Sequence, residues 1–211
     1  EIGCGWGGFA TYAVEERGAH VTGITISKAQ HEFASNRLAA AGLADRADVR
    51  LVDYRDVDGT FDKIVSIEMF EAVGQAYWQT YFEALSRLLK NGGRAALQAI
   101  TIEEQAFEEY RANPDFIQRY IFPGGMLPSM PRLEQPVDAA GLKLVAEKGD
   151  GLDYARTLAE WRERFIAAWP SLSGKTFDMR FKRMWELYLS YCEGGFRAGQ
   201  IDVKHLLFEH K

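Results

Sequence analysis

The chain has 211 residues, 47% of them hydrophobic, and its 30 acidic side chains outnumber 25 lysines and arginines to give a formal net charge of −5. This length and composition suit one globular α/β domain, residues 1–211, with a full core. The acidic balance argues against nucleic-acid binding, which needs a basic excess, and no apolar run approaches the roughly 18 to 20 residues of a membrane span.

Helical and strand patterns alternate along the first hundred residues. The helix patterns lie at 9–17, 28–41 and 77–90, and the strand patterns lie at 19–25, 49–52, 61–67 and 94–100. Ser27 is a good N-cap for the second helix, and Asn91, Gly92 and Gly93 predict the end of the third. Strands that alternate with helices of about 10 to 15 residues predict βαβ units and a parallel sheet with right-handed crossovers.

After residue 100 the pattern loosens. Residues 113–131 hold four of the six prolines and predict a lid or insertion that carries Phe116, Tyr120 and Phe122. Around it the sequence predicts helices at 103–111, 133–140, 157–169 and 177–196, and strands at 142–147 and 201–209. The two long C-terminal helices carry aromatic residues at spacings of three and four, which place many of them on one stripe. That stripe predicts core packing, the wall of an acyl-chain tunnel, or both.

The cysteines and the start of the chain bear on its compartment and its completeness. Cys4 and Cys192 have no metal-ligand spacing and form no disulfide framework, so we expect a reducing, cytoplasmic compartment and no bound metal. No signal peptide is visible. Because the sequence begins without Met and inside a motif at Glu1, we expect that upstream sequence, including most of a first strand, is missing.

The first eight residues have the pattern of a ligand-binding loop. Glu1 stands before Gly3, Gly5 and Gly8, which fit the spacing G-x-G-x-x-G of a turn between a strand and a helix. Such a turn aims backbone N–H groups at a ligand. The same spacing also occurs in dinucleotide sites and in plain strand–helix turns, so the loop alone does not identify the ligand.

Residues farther along the chain narrow the choice of ligand. A dinucleotide site needs a carboxylate about 20 residues past the glycines for the ribose hydroxyl, whereas Gly23, Ile24 and Thr25 stand there, which weakens the NAD hypothesis. An acidic residue ahead of the glycines instead suits a ligand with an ammonium group, such as S-adenosylmethionine. Asp53 and Tyr54 offer a carboxylate and an aromatic face for an adenine, or they form an ordinary turn.

Motifs with the order and spacing of a known family run from end to end of the chain. They lie at 1–8, 21–27, 53–56, 61–74, 120–125, 153–158, 180–184 and 191–197. In these stretches the chain resembles the cyclopropane-fatty-acid synthase family, which includes the mycolic acid cyclopropane synthases. The resemblance implies a Rossmann-like class I methyltransferase fold, with a mostly parallel sheet, helices on both faces and an α-helical lid insertion. It also implies the addition of a methylene carbon across a cis double bond of an acyl chain.

The resemblance assigns the S-adenosylmethionine site residue by residue. The cofactor loop comprises Glu1, Gly3, Cys4, Gly5, Trp6 and Gly7. The ribose side, where the carboxylate is missing, comprises Thr25, Ile26 and Gln30. The adenine side comprises Asp53, Tyr54 and Arg55, with Ile67 under the base.

The same resemblance implies a catalytic cage around a bound bicarbonate, which in the family is thought to be the base. Glu71 and Tyr154 match its glutamate and tyrosine, and Ile100 matches the isoleucine that contributes backbone. Gln98 replaces the histidine of many members, and Gln hydrogen-bonds an anion without carrying positive charge. The cage also uses a cysteine that would lie before residue 1.

Several other polar residues have two interpretations. Glu68, three residues before Glu71, is an alternative base or a solvated side chain that caps a turn. Cys192 matches a cysteine regarded as the family's active-site residue, but the reaction has no step for a thiol nucleophile, so we expect a buried packing residue. No catalytic motif contains any of the four histidines, and each is expected at the surface or in packing: His20, His31, His205 and His210.

The sequence thus predicts a cytoplasmic methyltransferase, peripheral to the inner face of the membrane, that makes cyclopropane fatty acids from unsaturated phospholipids. One alternative product is a methyl-branched or methylene acyl chain, and another alternative is a non-catalytic module that binds S-adenosylmethionine or lipid. A methyltransferase acting on O or N of a small molecule fits the aromatic-rich second half less well. A homodimer is a further partner hypothesis. The cluster of Lys175, Arg180, Lys182 and Arg183 predicts contact with anionic headgroups, or only a solvated helix face.

Overall fold

The computed structural model describes residues 1–172, 174 and 177–211. The chain forms two compact units. The first unit comprises Glu1–Ala99, Leu133–Glu147 and His205–Lys211, and the second comprises Ile100–Arg132 and Lys148–Lys204. The assignment of residues 1–211 to a single domain stays a prediction.

The described residues form two β-sheets and a series of helices. The strands are β1 (Val21–Thr25), β2 (Ala47–Leu51), β3 (Phe61–Ile67), β4 (Leu89–Ile102), β5 (Leu142–Gly149) and β6 (Ile201–His210). The helices are α1 (Gly8–Arg17), α2 (Lys28–Ala40), α3 (Trp78–Leu88), α4 (Glu104–Ala112), α5 (Phe116–Tyr120), α6 (Met130–Ala139), α7 (Gly151–Leu172) and α8 (Met179–Arg197). One sheet pairs β1 with β2, and the other has the order β3-β4-β6-β5. The pairs β1–β2 and β3–β4 are parallel, as the alternation of strands and helices predicts.

Ile2 lies between the two sheets in the first unit. It forms a parallel bridge with Ile24 of β1, and its backbone N–H donates to the carbonyl of Val65 in β3 at 2.8 Å. The buried Ser66 hydroxyl donates to the Ile2 carbonyl at 3.1 Å. The glycine-rich loop therefore begins at a residue that lies between β1 and β3.

An apolar cluster fixes α1 and α2 against the β1–β2 pair. Its buried members include Val14 of α1, Leu38 of α2 and Val49 of β2. Ser27 caps α2 as predicted, because its side chain accepts from the Gln30 N–H at 3.3 Å. Burying each large aliphatic side chain contributes roughly 1.5–3 kcal/mol, so this cluster holds the helix that follows the loop.

The predicted end of the third helix at Asn91, Gly92 and Gly93 is wrong. The helix stops at Leu88, and the three residues lie inside β4. A Cβ at Gly93 would lie 2.8 Å from the Asp62 carbonyl oxygen, so this close approach of β4 to β3 needs glycine. The register between β3 and β4 is irregular at the same place. The glycines therefore permit an irregularity in the strand, which local sequence cannot distinguish from a helix stop.

Aromatic rings beneath the end of β3 position the turn that follows it. Phe70 is buried, with its ring centroid 4.9 Å from that of Tyr81 and 5.5 Å from that of Phe82. Tyr81 and Phe82 belong to α3, whose buried face repeats at the helical spacing. The short 3-10 turn Phe70–Ala72 is thus held in place by packing of Phe70 against α3.

The second unit is built around the helices α7 and α8. Its apolar cluster includes Leu158 of α7, Leu189 of α8 and Val203 of β6. α7 begins at Gly151, before the predicted start at 157, and the neighbouring Asp150 N–H donates to the Val203 carbonyl at 3.0 Å. α8 begins after Asp178, whose carboxylate caps it by accepting from the Phe181 N–H at 2.8 Å. The other predicted elements are confirmed to within a few residues, and the proline-rich stretch contains the short helix α5 and the first residues of α6.

Candidate active site

The glycine-rich loop has the backbone of a ligand-binding turn. Gly3, Gly5 and Gly7 have φ of 79°, 52° and 78°, a region that side-chain-bearing residues rarely adopt. A Cβ at Gly5 would meet nothing within 4 Å, so open space lies over the loop there. The Cys4 side chain is buried in the core, and burial raises the pKa of its thiol to about 11. Cys4 therefore offers its backbone, rather than its side chain, to a ligand. Trp6 lies exposed, with its ring 5.2 Å from that of Phe33.

The Glu1 carboxylate is suited to a cation. One of its oxygens, Oε2, is buried without a hydrogen-bond partner in the described part of the chain. Burial raises the pKa of Glu1 to about 7. A buried carboxylate that lacks a partner is strained by desolvation, and an ammonium group would relieve it. This feature fits the amino-acid end of S-adenosylmethionine.

The residues assigned to the ribose side come together at the end of β1. The Thr25 hydroxyl donates to the Gln30 side-chain oxygen at 2.8 Å and accepts from the Ser27 N–H at 3.1 Å. Ile26, between them, is 77% exposed. An exposed isoleucine beside an ordered polar pair offers an apolar contact for a ligand.

The residues assigned to the adenine side form a rigid turn. Asp53 accepts two hydrogen bonds from the Arg55 guanidinium, at 2.8 and 2.7 Å, and one from the Arg55 backbone at 2.9 Å. The guanidinium hydrogen bonds hold the pKa of the Asp53 carboxyl below its usual range. Asp53 therefore acts in the structure as a turn cap, one of the two interpretations the sequence left open. Tyr54 packs edge-on against Tyr81, with ring centroids 5.4 Å apart.

Tyr81 is a buried residue near the site that no sequence motif marks. Its side chain is fully buried, which raises the pKa of its hydroxyl well above the usual range, and Ser66 and Glu71 lie close enough to modulate it. It contacts both the adenine-side Tyr54 and Phe70, the neighbour of Glu71. In the sequence it belongs to an ordinary apolar helix face, so no local pattern marks it.

Side chains at the ends of β3, β4 and β6 form a polar line. Ile67 of β3 is paired with Gln98 of β4, and the next residue, Glu68, donates its backbone N–H to the Gln98 carbonyl at 2.8 Å. The Gln98 side-chain N–H donates to Glu68 Oε1 at 2.7 Å. His205 Nε2 lies 3.0 Å from Gln98 Oε1. The local sequence predicts His205 at the surface or in packing, because the adjacency of β4 and β6 is not visible there.

The remaining catalytic candidates belong to the second unit and pack against one cluster. Ile100, Tyr154 and Cys192 all contact the buried core that contains Phe196. The Tyr154 ring centroid lies 4.9 Å from that of Phe196. Burial, helped by the charge of Asp115, raises the pKa of the Cys192 thiol to about 12. Such a thiol is not ionised at neutral pH, which favours the packing interpretation.

A row of aromatic rings lines part of the second unit. Ring centroids are 4.4 Å apart for Phe177 and Phe181, 5.6 Å for Phe181 and Trp185, and 5.0 Å for Trp185 and Tyr188. We call these four residues the aromatic row. Stacked rings present electron-rich faces that attract cations.

The basic cluster of the sequence analysis is only partly described. Lys182 forms an ion pair with Glu186 one turn along α8. Lys175 lies outside the described residues. Among the helices that the structure describes, none combines the length and the apolar character needed to cross a membrane.

Comparison with known proteins decides the family. A sequence model of the mycolic acid cyclopropane synthetase family matches residues 1–206. The chain belongs to this family. Its methyltransferase fold is the one expected from the resemblance, with an α/β core of largely parallel strands.

Relatives with named activities match nearly the whole of this chain. A tuberculostearic acid methyltransferase of Mycobacterium tuberculosis is 46% identical over 96% of this chain, which covers 48% of that protein. The cyclopropane-fatty-acyl-phospholipid synthase of Escherichia coli is 39% identical over 99% of this chain, which covers 52% of it. The chain thus spans about half the length of these relatives.

The solved structures agree on the fold. A mycolic acid cyclopropane synthase, CmaA1, complexed with SAH and CTAB matches with a TM-score of 0.89 and 29% identity, covering 100% of this chain and 77% of the other. The cyclopropane synthase MmaA2 of Mycobacterium tuberculosis matches with a TM-score of 0.89 and 26% identity, covering 98% and 75%.

Proposed function

We propose that the protein transfers the methyl carbon of S-adenosylmethionine to a cis double bond in an unsaturated phospholipid acyl chain and forms a cyclopropane fatty acid. The observation that carries this proposal is the family match over residues 1–206. The buried, unpartnered Glu1 oxygen and the open space over Gly5 support the cofactor half of the proposal.

The chain's own residues have separate tasks in this reaction. When bound, S-adenosylmethionine supplies a sulfonium methyl that an electron-rich double bond can attack. Glu1 would hold the ammonium group, the Gly3–Gly5 backbone would approach the ligand closely, and Tyr54 would contact the adenine. Because positive charge develops on the alkene, the surroundings must be dry and electron-rich. Aromatic faces suit that task, since each ring stabilises a nearby cation by roughly 0.5–2 kcal/mol.

Ring closure needs a base that removes a proton from the transferred methyl. We assign this role to Glu71, directly or through a bicarbonate that Glu71, Gln98, Ile100 and Tyr154 would hold. A carboxylate takes up one proton, and bicarbonate would relay it. The Gln98 N–H that would bind the anion donates to Glu68 in the structure, so bicarbonate must compete for it.

A second candidate product deserves a test because the 46%-identical relative is named a tuberculostearic acid methyltransferase and another relative, of Pseudomonas putida, a probable fatty acid methyltransferase. In that case the cation formed by methyl transfer would not close a ring. A hydride shift from the methyl-bearing carbon, followed by loss of a proton from the methyl, would give an exocyclic methylene chain, whereas loss of a proton from a chain carbon would give a methyl-branched alkene. A saturated methyl-branched chain would also need a hydride donor to reduce that double bond. The two candidates share the cofactor site and the first step, and they differ in what the cation does before the proton leaves.

Labelled S-adenosylmethionine and vesicles of unsaturated phospholipid test the proposal with the whole protein. The expected result is label in the lipid, and proton NMR of the extracted acyl chains separates a cyclopropane from its methylene isomer of equal mass. Cofactor binding without any labelled lipid would instead favour a non-catalytic binding module.

We also propose that this protein is cytoplasmic and makes peripheral contact with the inner face of the membrane. A phospholipid substrate requires such contact, and basic residues near a surface attract anionic lipid by about 1 kcal/mol each. Co-sedimentation with anionic vesicles, but not with neutral ones, is the expected result. A homodimer stays a prediction, which light scattering of the purified protein checks.

A further inference from the structure

Three side chains form a continuous hydrogen-bonded line across adjacent strands of the first unit. Gln98, in β4, lies in the middle and bonds Glu68, which follows β3, through its nitrogen at 2.7 Å. It meets His205, in β6, through its oxygen, with His205 Nε2 at 3.0 Å. No motif in the sequence joins these residues, since 107 positions separate Gln98 from His205.

The chemistry of the three groups fixes their orientation. An ionised carboxylate only accepts hydrogen bonds, so the NH2 of Gln98 must face Glu68. The Gln98 oxygen then faces His205 and can only accept, so His205 must carry a proton on Nε2. The contacts with Glu68 and His205 together favour one of the two amide rotamers of Gln98, which an isolated glutamine would exchange freely.

The backbone at Glu68 gives a second, independent observation. Its φ is 49°, and it is the one residue other than glycine with positive φ in the described part of the chain. Such a conformation is costly for a side-chain-bearing residue and persists only where its surroundings hold it. Here the Glu68 N–H donates to the Gln98 carbonyl at 2.8 Å, and the Glu68 side chain meets the Gln98 amide. Gln98 therefore forms hydrogen bonds with both the backbone and the side chain of Glu68.

We propose that His205 is a positioning residue that fixes the Gln98 amide, so that Gln98 presents an N–H donor rather than an oxygen to the anionic side of the active site. This inference rests on the proposed function. Without His205 the Gln98 oxygen loses this hydrogen-bond donor, and the orientation of the amide then rests on its contact with Glu68. Gln98 and His205 then act together, because the imidazole donates to the amide oxygen and the amide N–H donates to Glu68.

Substitutions at position 205 test the proposal in the whole protein. His205→Leu removes the N–H donor and should lower kcat about two- to tenfold, the effect of one neutral hydrogen bond, with little change in the KM for S-adenosylmethionine. His205→Gln keeps a donor at a similar reach and should restore most of kcat. His210→Leu is the matched control, because His210 lies on the same strand and its Nε2 contacts the Ser86 carbonyl at 3.0 Å. It should leave kcat unchanged after correction for folded protein.

An exchange of the two side chains is the sharper experiment. Gln98→His alone should lose activity, because an imidazole does not reproduce the reach of the amide between Glu68 and His205. Adding His205→Gln should recover much of it by restoring one amide–imidazole bond. If the fold-loss of activity in the double variant equals the product of the fold-losses in the two single variants, the inference is overturned. A His205→Leu protein with wild-type kcat and product ratio would also overturn it.

Nitrogen NMR of His205 separates this inference from the proposed function. The neutral imidazole should be protonated at Nε2 in the wild type, whatever reaction the protein performs, and this preference should weaken in Gln98→Leu. A His205 protonated mainly at Nδ1 would refute the positioning role even if lipid methylation is observed. Wild-type protein that never labels lipid, but shows the Nε2 tautomer, would instead refute the proposed function.

Discussion

Replacing Glu1 by glutamine should weaken the binding of S-adenosylmethionine and raise the free energy of unfolding. The pKa of Glu1 is raised by burial from an ordinary value of 4.5 to about 7. The folded protein therefore binds more protons at this site than the unfolded chain between about pH 4.5 and 7, and its stability falls as the pH rises through that window. With about 1.4 kcal/mol for each pH unit, the wild-type carboxylate costs on the order of 3 kcal/mol above pH 7. Glu1→Gln removes this cost.

Chemical denaturation of both proteins from pH 5 to 8 measures the effect. The free energy of unfolding of Glu1→Gln should exceed that of wild type increasingly toward pH 8, whereas Glu16→Gln, at an exposed carboxylate of α1, should show a constant small difference. Calorimetry should show S-adenosylmethionine binding weakened roughly 10- to 100-fold in Glu1→Gln at pH 8, because a charged hydrogen bond is lost. Wild-type affinity should rise with pH through about 7. A pH-independent stability difference together with unchanged affinity would refute the assignment of Glu1 to the ammonium group.

Four further predictions concern catalysis and the core. Glu71→Gln should lose most turnover while keeping cofactor affinity by calorimetry, and unchanged turnover would remove Glu71 from the mechanism. Cys192→Ser should keep most activity, and Cys192 should resist alkylation at pH 8, because burial raises the pKa of its thiol to about 12; rapid modification would contradict this. Depletion of bicarbonate should lower kcat, and its return should restore it; turnover that ignores bicarbonate would point to Glu71 as the direct base. Leu38→Ala should destabilise the protein by about 2–5 kcal/mol, against less than about 0.5 kcal/mol for the exposed Leu152→Ala, and equal losses in denaturation curves would contradict the core assignment.

The elements with strong local signals were predictable from the sequence. The alternation of strands and helices, the Ser27 cap and the glycine loop depend on residues close together in the chain, and each is found in the structure. The run at Gly92 and Gly93 wrongly predicts a helix end, because a glycine that ends a helix and a glycine that allows close strand contact look alike in local sequence.

The arrangement of polar side chains was less predictable, because it depends on strand order. Gln98 was identified from the family resemblance, but its partner His205 could be found only once β4 and β6 were neighbours. The sequence allows Glu68 to be a base or a cap, and neither composition nor spacing indicates its positive φ or its hydrogen bond to Gln98. Tyr81 likewise is an ordinary member of a helix face until the fold brings it beside Tyr54.

Transfer of the methyl carbon to lipid is the central claim, and one measurement tests it most directly. The whole protein is incubated with S-adenosylmethionine carrying a 13C methyl group and with vesicles of a cis-unsaturated phospholipid, and the extracted acyl chains are analysed by proton and carbon NMR. We expect the label in a cyclopropane methylene, with loss of the alkene signal. Label in a methyl or exocyclic methylene group would move the proposal to its second candidate product, and lipid that stays unlabelled while S-adenosylmethionine binds would contradict it.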